Sequence, residues 1–224
     1  MNISNQGISI SNQGESISNL EIEAAIVRVA KSLLKITDLL NQLDAAMGDG
    51  DTGVSVTKGA NGVLEYISAN PVTDDIGKWL ANVGMTYNRH APSTMGALVA
   101  TALMRGGKEV LQRPSLELAD LSKMLVAAST GIMERGKAKV GDKTLLDALY
   151  PAAVAFGTAI ENGASLGVAG AAMIQAARDG RDAATPLKGM IGRANWVGGT
   201  EGKLDPGTVL VVTVLEALMQ IEAE

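Results

Sequence analysis

The chain has 224 residues, 46% apolar but only 3% aromatic, with a formal net charge of −5 and no cysteine. That length suits one large domain, and a core of Ala, Leu, Val, Ile and Met favours packed helices over a β-sandwich. The acidic balance argues against a general nucleic-acid binder, and the lack of cysteine excludes disulfides, thiolate metal sites and a cysteine nucleophile.

Residues 1–19 hold a polar near-repeat, I-S-N-Q-G-I-S-I-S-N-Q-G-E-S-I-S-N, expected as a flexible tail before a helical domain over 20–224. The N-terminus lacks the basic and apolar regions of a signal peptide. The longest uncharged run, Asn162 to Ala177, is Gly/Ala-rich and shorter than the ~20 apolar residues of a membrane span. The expectation is a soluble cytoplasmic protein with neither membrane nor nucleic acid as partner.

From Leu20, apolar residues at Ile22, Ala25, Ile26, Val29, Leu33, Leu34, Ile36, Leu39, Leu40 and Leu43 keep helical spacing, with Asn19 as N-cap. This predicts one long helix that delivers Asp44. The stretch Leu43–Ser55 then reads L-D-A-A-M-G-D-G-D-T-G-V-S. Asp44, Asp49 and Asp51 repel one another unless something neutralises them. Gly48, Gly50 and Gly53 let the backbone turn tightly and approach a ligand. Hard oxygen ligands on such a loop suit Mg²⁺ or Ca²⁺. No EF-hand register fits, because its fifth and twelfth positions fall on Gly53 and Ala60, or on Ser55 and Gly62. The alternative is an Asp/Gly turn in which Asp49 or Asp51 caps the next helix.

That helix is predicted from Val54 to Ala69, stopping before Pro71, and its N-terminal amides would favour a phosphate. A third runs from Thr73 to His90, with Trp79, Leu80, Val83 and Tyr87 as its core stripe. His90, the sole histidine, reads as a helix-end residue rather than a catalyst. Pro92-Ser93-Thr94-Met95-Gly96 breaks the pattern. A fourth helix follows to about Val110 and a fifth spans Leu116–Glu134. Gly136–Thr144 nearly matches a phosphate-binding P-loop, but Asp142 is inserted before the lysine and no strand precedes it, so that reading fails.

A sixth helix, Thr144–Glu161, should bend at Pro151. The seventh, Ser165–Arg181, is rich in small residues that allow close approach. Residues 182–204 read as irregular, and a loop of that length is usually functional. Asp205-Pro206 caps a last helix, Thr208–Ile221, apolar nearly all round and so expected to be buried. The prediction is an all-α fold of eight helices with no convincing strand.

G-D-G-D-x-G after a helix ending in L-D resembles the metal-binding loop of the dihydroxyacetone kinase L-subunit family, the nucleotide-binding half of a sugar kinase. Four further stretches resemble it in the same order: R-G-K-A at Arg135–Ala138, G-D-K-T at Gly141–Thr144, G-R-A at Gly192–Ala194 and D-P-G at Asp205–Gly207. The resemblance implies an eight-helix antiparallel barrel with the nucleotide at one end, a closure that periodicity cannot reveal. It implies that Asp44, Asp49 and Asp51 hold two Mg²⁺ ions on the phosphates of ADP or ATP. Thr52, Gly53, Val54 and Ser55 would line those phosphates, with Thr94 and Met95 opposite. Gly136 and Leu145 would flank the adenine, and Arg193, Asp205, Pro206 and Gly207 would belong to a lid.

Leu145 stands where the family usually has Met, and two further departures matter more. Thr52 stands where its kinases usually carry His, whereas the distantly related fatty-acid kinase nucleotide domains have Thr there, in G-D-G-D-T-G. Met95 replaces the serine of the family's G-G-A-S-G loop, and a thioether cannot donate a hydrogen bond, which leaves Thr94 or Ser93 to serve. The function implied is a kinase subunit that passes a phosphoryl group to a small ketose on a sugar-binding partner subunit. Its donor would be ATP or a phosphotransferase-system phosphoprotein. Two other readings stand beside it. Met95 favours a nucleotide-loaded regulatory binding module. Thr52 favours a fatty-acid-kinase-like phosphotransferase, against which G-D-K-T, G-R-A and D-P-G speak.

Overall fold

The structure is a computed structural model, and it describes residues 16–220. The tail expected over 1–19 lies outside these residues up to position 15. From there the chain departs from the expectation: Ser16–Ser18 form strand β1, antiparallel to strand β2, Ser115–Glu117, with Ile17 opposite Leu116. Among the described residues the all-α prediction therefore holds except for this one short ladder. Leu116, at its centre, is fully buried, so the pairing seals an apolar contact.

Helix α1 spans Asn19–Lys35 and its cap is Ser18, not Asn19. The Ser18 hydroxyl accepts from the Glu21 amide while the Glu21 carboxylate accepts from the Ser18 amide, a reciprocal capping box. The predicted single rod to Asp44 is broken at Ile36, and α2, Thr37–Ala45, continues beyond it. The Thr37 hydroxyl explains the break: it donates to Leu34 O and meets Thr57 Oγ1 at 2.7 Å, turning the second half onto the next helix.

The rest follow as α3 Thr52–Ala69, α4 Ile76–His90, α5 Thr94–Lys108, α6 Leu118–Gly136, α7 Leu146–Glu161, α8 Leu166–Ala184, a single turn α9 Ala194–Val197, and α10 Pro206–Leu218. Ser93, Ser165 and Asp205 cap α5, α8 and α10 with their side chains, as such residues do at helix starts. Helix α10 begins at Pro206, with proline at the first helical position as expected, and is buried along most of its length.

Counting α1 and α2 as one bent rod and setting α9 aside, eight rods remain among the described residues. Each packs on the next, and α10 returns to pack on α1, so the rods close a ring. Three apolar clusters face its interior. They leave a cavity of about 600 Å³ bounded by residues such as Leu33, Val83, Met95, Leu98, Phe156 and Leu215.

The tightest helix pair is α7 with α8. Pro151 has no N–H to offer the carbonyl of Asp147 one turn earlier. Gly180 of α8 lies directly on that carbonyl, and a Cβ at Gly180 would collide with it.

Candidate functional site

Because successive rods run in opposite directions, alternate connections fall at the same end of the ring. One end carries the 46–51 loop, the 91–93 turn, the 137–145 segment and the long 185–205 segment. The five motifs singled out in the sequence therefore share one end, together with the starts of α3, α5 and α10.

Carboxylate oxygens of Asp44, Asp49 and Asp51 all lie within 4.8 Å of one another. Asp44 is half-buried and its Oδ2 accepts from the amides of Asp51 (2.9 Å) and Thr52 (3.1 Å), fixing the loop across its base. A carboxylate in that place also sits at the positive end of α3. Asp51, although it occupies the N-cap position of α3, makes no side-chain cap bond. Asp49 faces Arg193 instead. The alternative reading, in which Asp49 or Asp51 is a mere helix cap, does not match this arrangement.

Asn41 Oδ1 accepts from the Val54 amide at 3.1 Å, so a further amide of the α3 start is engaged. The sequence-based expectation that these amides await a phosphate is thereby corrected: Asp51, Thr52 and Val54 already donate within the chain. Gly53 is obligatory for this packing, since a Cβ there would strike the Thr37 carbonyl and the Asn41 side chain. Asn41 escaped the sequence reading. Its signal was position, one turn before Asp44 on the same helix face.

The 185–205 segment leans on the aspartate loop through two cations. The Arg193 guanidinium pairs with the Asp49 carboxylate, and Lys203 Nζ donates to Ala46 O at 2.8 Å. One arginine engages one of three clustered carboxylates. An all-oxygen donor set of this kind fits Mg²⁺, and Asp44, Asp49 and Asp51 are the residues that would hold it.

The other predicted residues take varied places. Ser93 accepts from the Gly96 amide at 3.1 Å, which commits it to capping α5, while Thr94 is exposed at the first helical position. The Met95 side chain turns inward, packing on two of the interior clusters and bounding the cavity. The expectation that it faces a ligand is corrected, because a thioether gains more from apolar contact than from a wet rim. Gly136 ends α6. Leu145 is buried, and Gly207 approaches its backbone so closely that a Cβ would stand 3.1 Å from its N and Cβ. The starts of α7 and α10 thus touch.

Asp205 caps α10 by accepting from the Thr208 amide at 2.7 Å. Burial of its carboxyl pushes its pKa up to about 7, with the nearby Asp147 charge adding to the rise, against the Thr208 amide and the Lys143 charge. The folded protein then keeps a proton that the unfolded chain, with its value of 3.8, gives up. This group's contribution to stability is complete below the unfolded value and is lost as the pH climbs through the folded one. Asp205→Asn retains an acceptor for the Thr208 amide without the titration. Thermal melts between about pH 5 and pH 8 should show wild type losing stability with rising pH relative to the variant. Parallel curves would refute the assignment.

Among the described residues no helix is long and apolar enough to cross a membrane.

Comparison with known proteins agrees with this fold. Residues 46–220 match the DAK2 domain. The chain is 31% identical over 184 residues to the ADP-binding subunit DhaL of the PEP-dependent dihydroxyacetone kinase of Escherichia coli (strain K12), covering 81% of this chain and 87% of that one. It is 25% identical over 195 residues to the triokinase/FMN cyclase of Mus musculus, covering 87% of this chain but 33% of that protein. The crystal structure of the dihydroxyacetone kinase of C. freundii superposes with a TM-score of 0.72 at 21% identity, over 98% of this chain and 38% of that one. The chain therefore spans most of the bacterial subunit and about a third of the longer kinases. With the family's motifs gathered at one end of a ring of eight rods, and the match running from the aspartate loop to the last helix, the chain belongs to the DAK2 domain family.

Proposed function

We propose that this chain is the nucleotide-binding subunit of a dihydroxyacetone-type ketose kinase. It would hold Mg–ADP or Mg–ATP across the end of the ring and pass a phosphoryl group to a small ketose on a partner subunit. The observation that carries this reading is the convergence of the aspartate cluster, the Arg193 segment and the α10 start on one end of the ring.

Asp44, Asp49 and Asp51 would ligate two Mg²⁺ ions, which when bound neutralise charge on the phosphates. Asp44 has the further task of holding the loop closed through the amides of Asp51 and Thr52. Arg193, whose planar donors match phosphate as well as carboxylate, would move from Asp49 toward the nucleotide. Thr52, Gly53, Val54, Ser55 and Thr94 border the phosphate end. Gly136, Leu145, Pro206 and Gly207 border the base, where the close approach of Gly207 to Leu145 brings two of the motifs together.

The bacterial relative's name, an ADP-binding subunit of a PEP-dependent kinase, supports ADP as a retained carrier. A phosphotransferase-system phosphoprotein would then recharge it.

Titration calorimetry with ADP and ATP, with and without Mg²⁺, tests the binding step. Micromolar or tighter, magnesium-dependent binding is expected. Heats that are identical without the metal would remove the clamp. Transfer of phosphate to dihydroxyacetone or a tetrulose in the presence of a sugar-binding subunit tests the kinase, and failure with every ketose would leave only nucleotide binding.

A further inference from the structure

Lys143 is the third residue of G-D-K-T, and the site described above does not use it. It is 2% exposed and its backbone adopts the left-handed conformation, φ +59°. Its ammonium carries three N–H donors. Three carbonyls receive them: Thr185 at 2.6 Å, Leu187 at 3.1 Å and Thr200 at 2.8 Å. Two of these lie where the 185–205 segment leaves α8, and the third lies near its return to α10. A single side chain therefore ties both ends of that segment together.

The segment needs such a tie. Between Leu187 and Thr200 its side chains are mostly exposed, Trp196 at 87%, and Gly192, Gly198 and Gly199 all adopt positive φ. A glycine-rich loop with little apolar burial has no core to hold it in one shape. Three other bonds follow the same seam: Gly189 N to Thr200 Oγ1, Met190 N to Asp142 O, and Gly202 N to Thr185 O.

Lys143 is itself held firmly. Asp147 accepts from the amides of Gly141 and Thr144 on either side of it, at 2.6 and 2.7 Å. Burial lowers its pKa, while the charges of Asp205, Glu201 and Asp147 hold it up.

We propose that Lys143 is a positioning residue: it closes the base of the 185–205 segment and so holds Arg193 over the aspartate loop. This rests on the nucleotide-binding reading above for its consequence, but not for the tie itself. A loop pinned at both ends samples few arrangements, so Arg193 at its tip meets Asp49, and later a phosphate, without a search. Released, the same loop would present Arg193 only part of the time.

Two measurements test this. The first is hydrogen–deuterium exchange of the nucleotide-free protein. In wild type the amides of Gly189, Met190 and Gly202 should be protected well beyond those of an open loop. In Lys143→Gly, which removes the side chain yet suits the left-handed backbone, they should exchange at loop rates while α7 and α10 stay protected. The second is Mg–ADP calorimetry on wild type, Lys143→Gly, Lys143→Met, Arg193→Ala and the Lys143→Gly/Arg193→Ala pair.

Each Lys143 variant should weaken binding by roughly 10-fold or more, as removal of a supporting partner does. The double variant should lose little beyond the weaker single, because both act through one arginine. Additive losses would mean that Lys143 is merely structural and would overturn the proposal. So would unchanged exchange in Lys143→Gly. If neither Lys143 variant folds, wild-type exchange decides alone: fast amides along the seam overturn the tie and slow ones support it. Wild type that fails to bind Mg–ADP defeats the functional reading and leaves the exchange result standing.

Discussion

Asp49→Ala and Asp51→Ala should each abolish most of the magnesium-dependent affinity for ADP while leaving the fold intact. Both carboxylates are exposed and neither caps α3, so their removal takes little from the folded chain. A loss of roughly 100-fold corresponds to about 3 kcal/mol, the size expected when one partner of a desolvated charge pair is removed. Asp44→Ala is a poorer test, because Asp44 also receives two amides and its loss would open the loop. Calorimetry with and without Mg²⁺, beside a thermal melt, separates the two effects. Unchanged magnesium-dependent binding in both Asp49 and Asp51 variants would end the metal reading.

A large loss of stability is expected from Gly180→Ala. Its added methyl would meet the Asp147 carbonyl, which Pro151 has already deprived of a helical partner, and the Pro151 ring lies 3.1 Å away. Neither neighbour is the far end of a flexible chain, so the helices must part. Overpacking of this kind costs about 1–3 kcal/mol, and this backbone collision belongs at the upper end. In a domain of this size each kcal/mol lowers Tm by roughly 2–4 °C, so a fall of about 6–12 °C is expected in a calorimetric scan. The shift would also disturb Asp147, whose side chain holds the segment around Lys143. A variant that melts within a degree or two of wild type would show that α8 can slide away at no cost.

The helices were legible because their signals are local. Apolar spacing, Pro71 and Pro151, and the Asp205-Pro206 start all act within a turn or two of the chain. What the pattern missed was decided by distant partners. The break at Ile36 depends on Thr37 meeting Thr57, twenty residues on. The β1–β2 ladder joins segments about a hundred residues apart, and three-residue strands carry too little alternation to register.

The site divides in the same manner. The aspartate cluster stood out because three like charges in eight residues demand an explanation. Asn41 and Lys203 did not, since an isolated amide or lysine reads as surface until its acceptors are known, and Lys143 stood inside G-D-K-T with no role until its three carbonyls were placed. Met95 went the other way: the motif placed it at the ligand, and the core claimed its side chain.

The return of α10 onto α1 has a practical outcome for anyone who wishes to attach something to this molecule. Helix α1 runs toward the aspartates and α10 runs away from them, and Arg28, midway along α1, donates to Ala217 and Leu218 at the finish of α10. The start of α1 and the finish of α10 therefore both lie at the end of the ring opposite the aspartates. A fluorophore, a tether or a second folded unit joined at either point leaves the rim that carries the aspartates unobstructed.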